Sequence, residues 1–277
     1  MAAEQDRPQR LAILIDADNA SPRMADAIFK EIAAIGEASV RRIYGDFSGT
    51  RLKGWEEVLA TYAIMPHQNF ANTVGKNASD IALVIDAMDL LHTGRFDAFC
   101  LISSDSDFTR LAARIREQGV DVYGFGEQKT PESFRKACKR FIYTENLLPQ
   151  ADVAVRSKTA VGDPVTPGTA TKQPPSAAIL HLKIALNQMD DVDGWYPLGA
   201  VGTRLAALMP DFDPRTYGCS KLVTLFEKTE AFDVRRQNLT VFIRPKLRRP
   251  AHPQKAASGG NAPCVAGPDE TKRALKA

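Results

Sequence analysis

The chain has 277 residues, enough for one α/β domain of ordinary size and a small second one. With 44% hydrophobic and 25% charged residues it reads as a globular protein, and no apolar run approaches the roughly 20 residues a membrane-spanning helix needs. Net charge is only +3 but uneven: from Arg235 onward ten Lys and Arg face Asp269 and Glu270 alone, a basic tail that suits either a polyanionic partner or simple solvation.

In chain order, LAILID (11–16) is a short apolar run ending in an acid, as expected of a buried parallel strand. Ser21-Pro22 opens a helix, with Met24, Ile28, Ile32 and Ile35 at helical spacing until Gly36. SVRRIYGDF (39–47) reads as a second strand, GWEEVLATY (54–62) as a helix and AIMPH (63–67) as a short third strand. Ser79 starts a helix carrying Ile81, Val84, Ile85, Met88 and Leu91, stopped at Gly94. AFCLISS (98–104) is the fourth strand, Asp107 to Gln118 a helix, VDVYGFG (120–126) the fifth strand and Pro131 to Lys139 a last helix. Strands separated by helices imply a parallel sheet covered on both faces, with right-handed crossovers. Ligands of such sheets bind beyond the carboxyl ends of the strands.

Residues 150–175 are rich in Pro, Thr, Ala and Gly without period and are expected to form a flexible linker. From Ser176 helical spacing resumes, and three short helices followed by a hairpin (AFDVRRQ, then LTVFIRP) make a winged-helix pattern to residue 246. The stretch 247–277 has no periodicity and is expected to be disordered. Cys100, Cys138, Cys219 and Cys264 are scattered, without a CxxC, as befits packing residues in a reducing cytosol. The polar first ten residues contain no signal-peptide run, so a cytoplasmic location is expected.

Strand one ends IDADN and strand four ends SSDSD, placing two acid clusters at one sheet edge. Asp80 adds a third acid, in the first turn of the helix before strand four. Converging carboxylates repel one another and raise one another's pKa, a strain that Mg²⁺ or Mn²⁺ relieves. Such an ion polarises a phosphoryl oxygen and acidifies bound water, which is the chemistry of phosphodiester cleavage. Each acid also suits a humbler role as a turn former or helix cap. Lys76 and Asn77 can contact a phosphate or face solvent. His67 reads as a hydrogen-bonded bystander. Arg41, Arg42, Arg51 and Lys53, with Tyr44, Phe47 and Trp55 nearby, suit phosphate contact and stacking on a single strand, or a solvated edge over a core.

LAILIDADN, KNASDIALVIDAM and FCLISSDSDFTRLAARIREQGVDVYGFG together resemble the NYN domain family, a branch of the PIN-like nucleases, over residues 10–148. The family's Asp, two residues, Asn pattern falls on Asp16 and Asn19, its helix-borne Asp on Asp80, and its SxDxDF segment on Ser104, Asp105, Asp107 and Phe108. The resemblance implies a PIN-like (Rossmannoid) fold and a Mg²⁺- or Mn²⁺-dependent endoribonuclease. Asp16, Asp80, Asp105 and Asp107 would be the metal ligands, with Asn19 orienting. Residues 176–246 are similar to the OST-HTH/LOTUS winged-helix family, through the helix around Leu180, GWYPLGAVGTRLAAL, Tyr217-Gly218, KLVTLFEK and VFIRP. That implies RNA binding or docking to a protein partner, with Trp195, Tyr196, Tyr217 and Lys221 as contacts, the aromatics equally suiting the core of a small domain.

The domain scheme is thus a nuclease-like domain at 1–149, a linker at 150–175, a winged-helix domain at 176–246 and a basic tail. Two rivals stand beside the endoribonuclease: a non-catalytic RNA-binding adaptor, and a phosphatase built on the Asp-x-Asp of IDADN, which Ala20 disfavours.

Overall fold

The computed structural model describes residues 7–69, 78–148 and 172–246. Lys76, Asn77, Cys264, most of the expected linker and the whole tail lie outside the described residues.

The first module is built on six parallel strands in the order β3-β2-β1-β4-β5-β6. These are β1 (Gln9–Asp16), β2 (Gly36–Gly45), β3 (Met65–Gln68), β4 (Ala98–Ile102), β5 (Asp121–Gly126) and β6 (Arg140–Tyr143). The helices are α1 (Ala25–Ala33), α2 (Glu56–Tyr62), α3 (Ala78–His92), α4 (Thr109–Glu117) and α5 (Glu132–Ala137). Alternation along β1 divides the core. Leu11, Ile13 and Ile15 pack with Ile28, Ile32 and Trp55 on the α1–α2 face. Ala12 and Leu14 pack with Leu83, Leu111 and Phe134 on the α3–α5 face. Both faces are covered, which is why residues 11–15 of β1 and all of β4 are apolar rather than alternating.

The five expected strands are present, and β6 is an addition. Its four residues RFIY follow α5 with only Cys138 and Lys139 between and no Gly or Pro to mark the break. They become a strand because Phe141 and Ile142 complete the two cores, beside β5. Several helices also open with a 3-10 turn, as at Lys53–Trp55 and Ser106–Phe108, so α2 and α4 begin later than their apolar spacing suggests.

The second module holds α6 (Ile179–Leu186), α7 (Leu198–Leu208) and α8 (Leu222–Thr229) around one core of Leu182, Val201, Leu205, Leu225 and Phe226. Its antiparallel sheet is β7-β9-β8, in which the expected hairpin β8 (Phe232–Gln237) and β9 (Thr240–Pro245) gains the two-residue β7 (Tyr196–Pro197). This is the small winged-helix α+β domain that the sequence implies. Among the described residues no helix is long and apolar enough to cross a membrane.

The two modules touch. The Phe141 amide on the outer edge of β6 donates to the Pro210 carbonyl at 2.8 Å, so the second module covers a strand edge that would otherwise be open. Arg135 is ion-paired to Asp211, whose carboxylate also accepts from the Tyr143 hydroxyl at 2.8 Å. Arg215 bridges Asp213 at 2.6 Å and Glu31 at 2.9 Å, and Asn146 donates to Thr216 at 2.9 Å.

Candidate nuclease site

The strand order reverses between β1 and β4, the point of such a sheet at whose carboxyl edge ligands bind. Asp16 ends β1 and is 1% exposed. Three donors hold its carboxylate: Ser103 Oγ at 2.7 Å, Asn19 Nδ2 at 2.8 Å and the Asp18 amide at 3.0 Å. Burial dominates and raises its pKa, and these hydrogen bonds pull the other way. Ser103 in turn accepts the Asp105 amide at 3.0 Å, and Asp105 caps the next turn by accepting the Asp107 amide at 2.9 Å. One hydroxyl therefore ties the tip of β1 to the tip of β4.

Asp80, in the first turn of α3, lies within electrostatic reach of these acids. Its pKa is pushed up to about 6, first by burial and then by the charges of Asp16, Asp105, Asp18 and Asp107. Asp80 and Asp107 also share the wall of a hollow of about 210 Å³ with Ile81, Val84, Ile85 and Phe108. The loop after β5 supports the edge from beside it. A Cβ on Gly126 would stand 2.6 Å from the Ser103 carbonyl, so only glycine lets the tips of β4 and β5 approach this closely.

Residues 10–148 match the NYN domain family. The chain belongs to that family. Residues 174–243 match the OST-HTH/LOTUS domain, so a PIN-like, nuclease-type domain and a module of RNA-binding type share one chain. No curated protein matches the chain. Among solved structures, a protein of unknown function from Vibrio parahaemolyticus is 18% identical, with 50% of this chain and 94% of that one covered and a TM-score of 0.43. An uncharacterized protein from Nitrosomonas europaea is 31% identical, covers 34% and 95% respectively, and has a TM-score of 0.26. MurG of Acinetobacter baumannii is 13% identical over 80% and 70%, with a TM-score of 0.34.

The NYN domain thus gathers Asp16, Asn19, Asp80, Asp105 and Asp107 at one edge. Arg51 joins them indirectly, through an ion pair with Asp18 at 2.5 Å, and Lys53 is exposed on the same loop. Arg41 stays apart. It sits three residues before Tyr44, the register partner of Asp16, and donates to the Tyr62 carbonyl at 2.7 Å while lying over Phe29. Tyr217 is buried in the second module, its hydroxyl 3.2 Å from His181 Nδ1. Lys221 is exposed at the start of α8. The guanidinium groups of Arg235 and Arg244 both lie over the Trp195 ring, at 4.4 and 4.5 Å from its centroid.

One constellation beside the site escaped the sequence. Asp86 of α3 accepts from both Arg42 and the Tyr44 hydroxyl, and burial together with that carboxylate drives the Tyr44 pKa far up. His67 packs against Tyr44 with the ring centroids 5.0 Å apart and the planes tilted by 40°, and burial lowers its pKa. An acid pairing with residues 44 and 42 positions away leaves no local pattern to find.

Proposed function

We propose that the protein is a divalent-metal-dependent endoribonuclease working at the edge between β1 and β4, with its second module engaging RNA. One observation carries the reading: carboxylates from three separate elements converge where Asp80 feels the charges of Asp16, Asp105, Asp18 and Asp107 together. The donors are all carboxylate oxygens, the ligands hard cations such as Mg²⁺ and Mn²⁺ take. Among the described residues no three His, Cys, Asp or Glu side chains are grouped tightly enough to enclose an ion. An ion that takes one or two carboxylates and keeps its waters suits such a spread.

Asp16, Asp80, Asp105 and Asp107 would hold that ion, directly or through water. Once bound, it supplies a polarised phosphoryl oxygen and a more acidic water. The chain's own contribution is positioning. Asn19 and Ser103 fix the orientation of Asp16, and the Ser103 bond to the Asp105 amide keeps the β4 tip in step with it. Arg51 and Lys53 offer donors for a phosphate at the rim. In the second module the exposed Lys221 and the half-buried Trp195 would offer contacts to RNA. Three buried free thiols, Cys100, Cys138 and Cys219, accord with a reducing, cytoplasmic setting.

The test is cleavage of a labelled single-stranded RNA with Mn²⁺ or Mg²⁺, beside EDTA and Asp105→Asn. The expected result is cleavage that needs the metal and falls at least roughly a hundredfold in the variant. RNA binding without any cleavage would make the protein an adaptor instead.

A further inference from the structure

The two modules enclose a cleft of about 1070 Å³ that the acidic edge does not explain. One wall belongs to the NYN domain: Arg116 at the end of α4, Lys136 in α5, and Lys139 and Arg140 entering β6. The other is the face of α7 that carries Thr203, Ala206 and Ala207. Residues that enter strands lie at the amino edge of a parallel sheet, so this cleft opens at the end opposite Asp16 and Asp105. Its charged lining consists of these four cations, with no carboxylate among them.

Each cation already has a partner within the NYN domain. Lys139 pairs with Asp121 at 2.5 Å, Arg140 with Glu31 at 3.1 Å and Lys136 with Glu132 at 2.7 Å, while Arg116 reaches only the Ala137 and Cys138 carbonyls, at 3.4 and 3.5 Å. The Lys136 and Lys139 pairs are solvent-exposed and contribute little net stability, so a phosphate can take the place of those carboxylates readily, while Arg140 is itself half-exposed and bonds the largely buried Glu31 through one nitrogen. The short side chains of α7 leave room for a backbone to lie along the cleft. The cleft is larger than a small-molecule site needs and presents four cations along an open wall, a pattern that fits an extended polyanion better than a single phosphate.

We propose that this cleft is a second RNA-binding surface, which grips the phosphodiester backbone of a single strand at the sheet edge remote from the acidic site. The proposal rests on RNA being the ligand of the protein, but not on its being cleaved.

The experiment measures binding of a long single-stranded RNA to the full chain by fluorescence anisotropy across a salt series, in EDTA so that cleavage does not enter. Two double variants are compared with the wild type: Arg116→Gln with Lys139→Gln, and Lys136→Gln with Arg140→Gln. Each pair is expected to weaken binding about tenfold and to lower the slope of log K against log salt by roughly 1.4, or about 0.7 per lost phosphate contact. Because two independent pairs report on one cleft, misfolding of either leaves the other to decide. Wild-type affinity and slope in the folded variants would overturn the proposal. So would polyglutamate displacing the RNA as well as unlabelled RNA does, because the cleft would then be a docking face for an acidic protein segment. If the wild type cleaves nothing but the slopes fall, the nuclease reading fails and the cleft stands.

Discussion

Asp80 illustrates how a single residue records the purpose of its surroundings. Its ordinary pKa is 3.8, and in the folded chain burial and four neighbouring acids push it up to about 6. A carboxyl whose folded pKa is raised is bound to its proton more firmly in the folded state than in the unfolded one. Below about pH 4 it is protonated in both states and carries no penalty. As pH climbs from about 4 to 6 the unfolded chain gives up the proton that the folded state retains, so stability falls, and it levels off once both states are ionised. In the metal-free protein, Asp80→Asn should therefore raise stability by about 1–2 kcal/mol at pH 8, a figure reduced for partial solvent screening, and have no effect near pH 4. Urea unfolding at the two pH values checks this, and an Asn variant no more stable at pH 8 would refute it. Added Mn²⁺ should narrow the gap by stabilising the wild type more than the variant. Asp16 is a less clean test: burial raises its pKa as well, but replacing it also disturbs the bonds it accepts from Ser103 and Asn19.

At the level of elements, the site depends on how closely two strand tips approach. Ser103 follows β4 directly, and Gly126 closes β5 against its carbonyl. A Gly126→Ala side chain would meet the Ser103 carbonyl at 2.6 Å, the Thr130 hydroxyl at 2.8 Å and the Phe141 ring at 3.0 Å. Backbone on one side and a packed ring on the other leave little room to yield, so destabilisation of roughly 1–3 kcal/mol is expected. The displaced Ser103 would also loosen Asp16 from Asp105, and metal-dependent cleavage should drop more than about tenfold in protein that is still folded. Unchanged cleavage in a variant with an unchanged melting temperature would show that the β4–β5 spacing does not govern the site. The same crowding explains why β6 lies where it does, since Phe141 fills the space that Gly124 and Gly126 leave open.

Across the whole molecule, the modules are joined by polar contacts as well as by the chain. Arg215 is half-buried and bonded to Asp213 and Glu31 together. Burial works against its charge, but the two carboxylates outweigh it and raise its pKa. Removing one member of such a group strands the others, at a cost of roughly 3–5 kcal/mol when fully buried and less at this partial exposure. Arg215→Ala should therefore split a shared thermal transition into two, with the OST-HTH/LOTUS module melting first. Calorimetry reads this directly, and a single unshifted transition in the variant would mean that the modules are not energetically coupled through Arg215.

Much of this architecture was legible in the chain. Buried parallel strands must be apolar along their length, so LAILID and AFCLI announced themselves, and an acid ending such a run has nowhere to go but the carboxyl edge. The order of strands and helices set the two-layered covering of the sheet, and with it the meeting of Asp16 and Asp105. What required the tertiary structure depends on contacts between distant segments. RFIY is too short to declare itself a strand, and becomes one only because two cores need Phe141 and Ile142. The partnership of Asp86 with Arg42 and Tyr44, the engagement of Arg41 by the Tyr62 carbonyl and the burial of Tyr217 follow from packing. So does the cationic cleft between the modules, whose walls are residues that local sequence marks only as charged or small. Periodicity encodes which face of an element turns inward; only the folded chain decides which side chains meet across the gap.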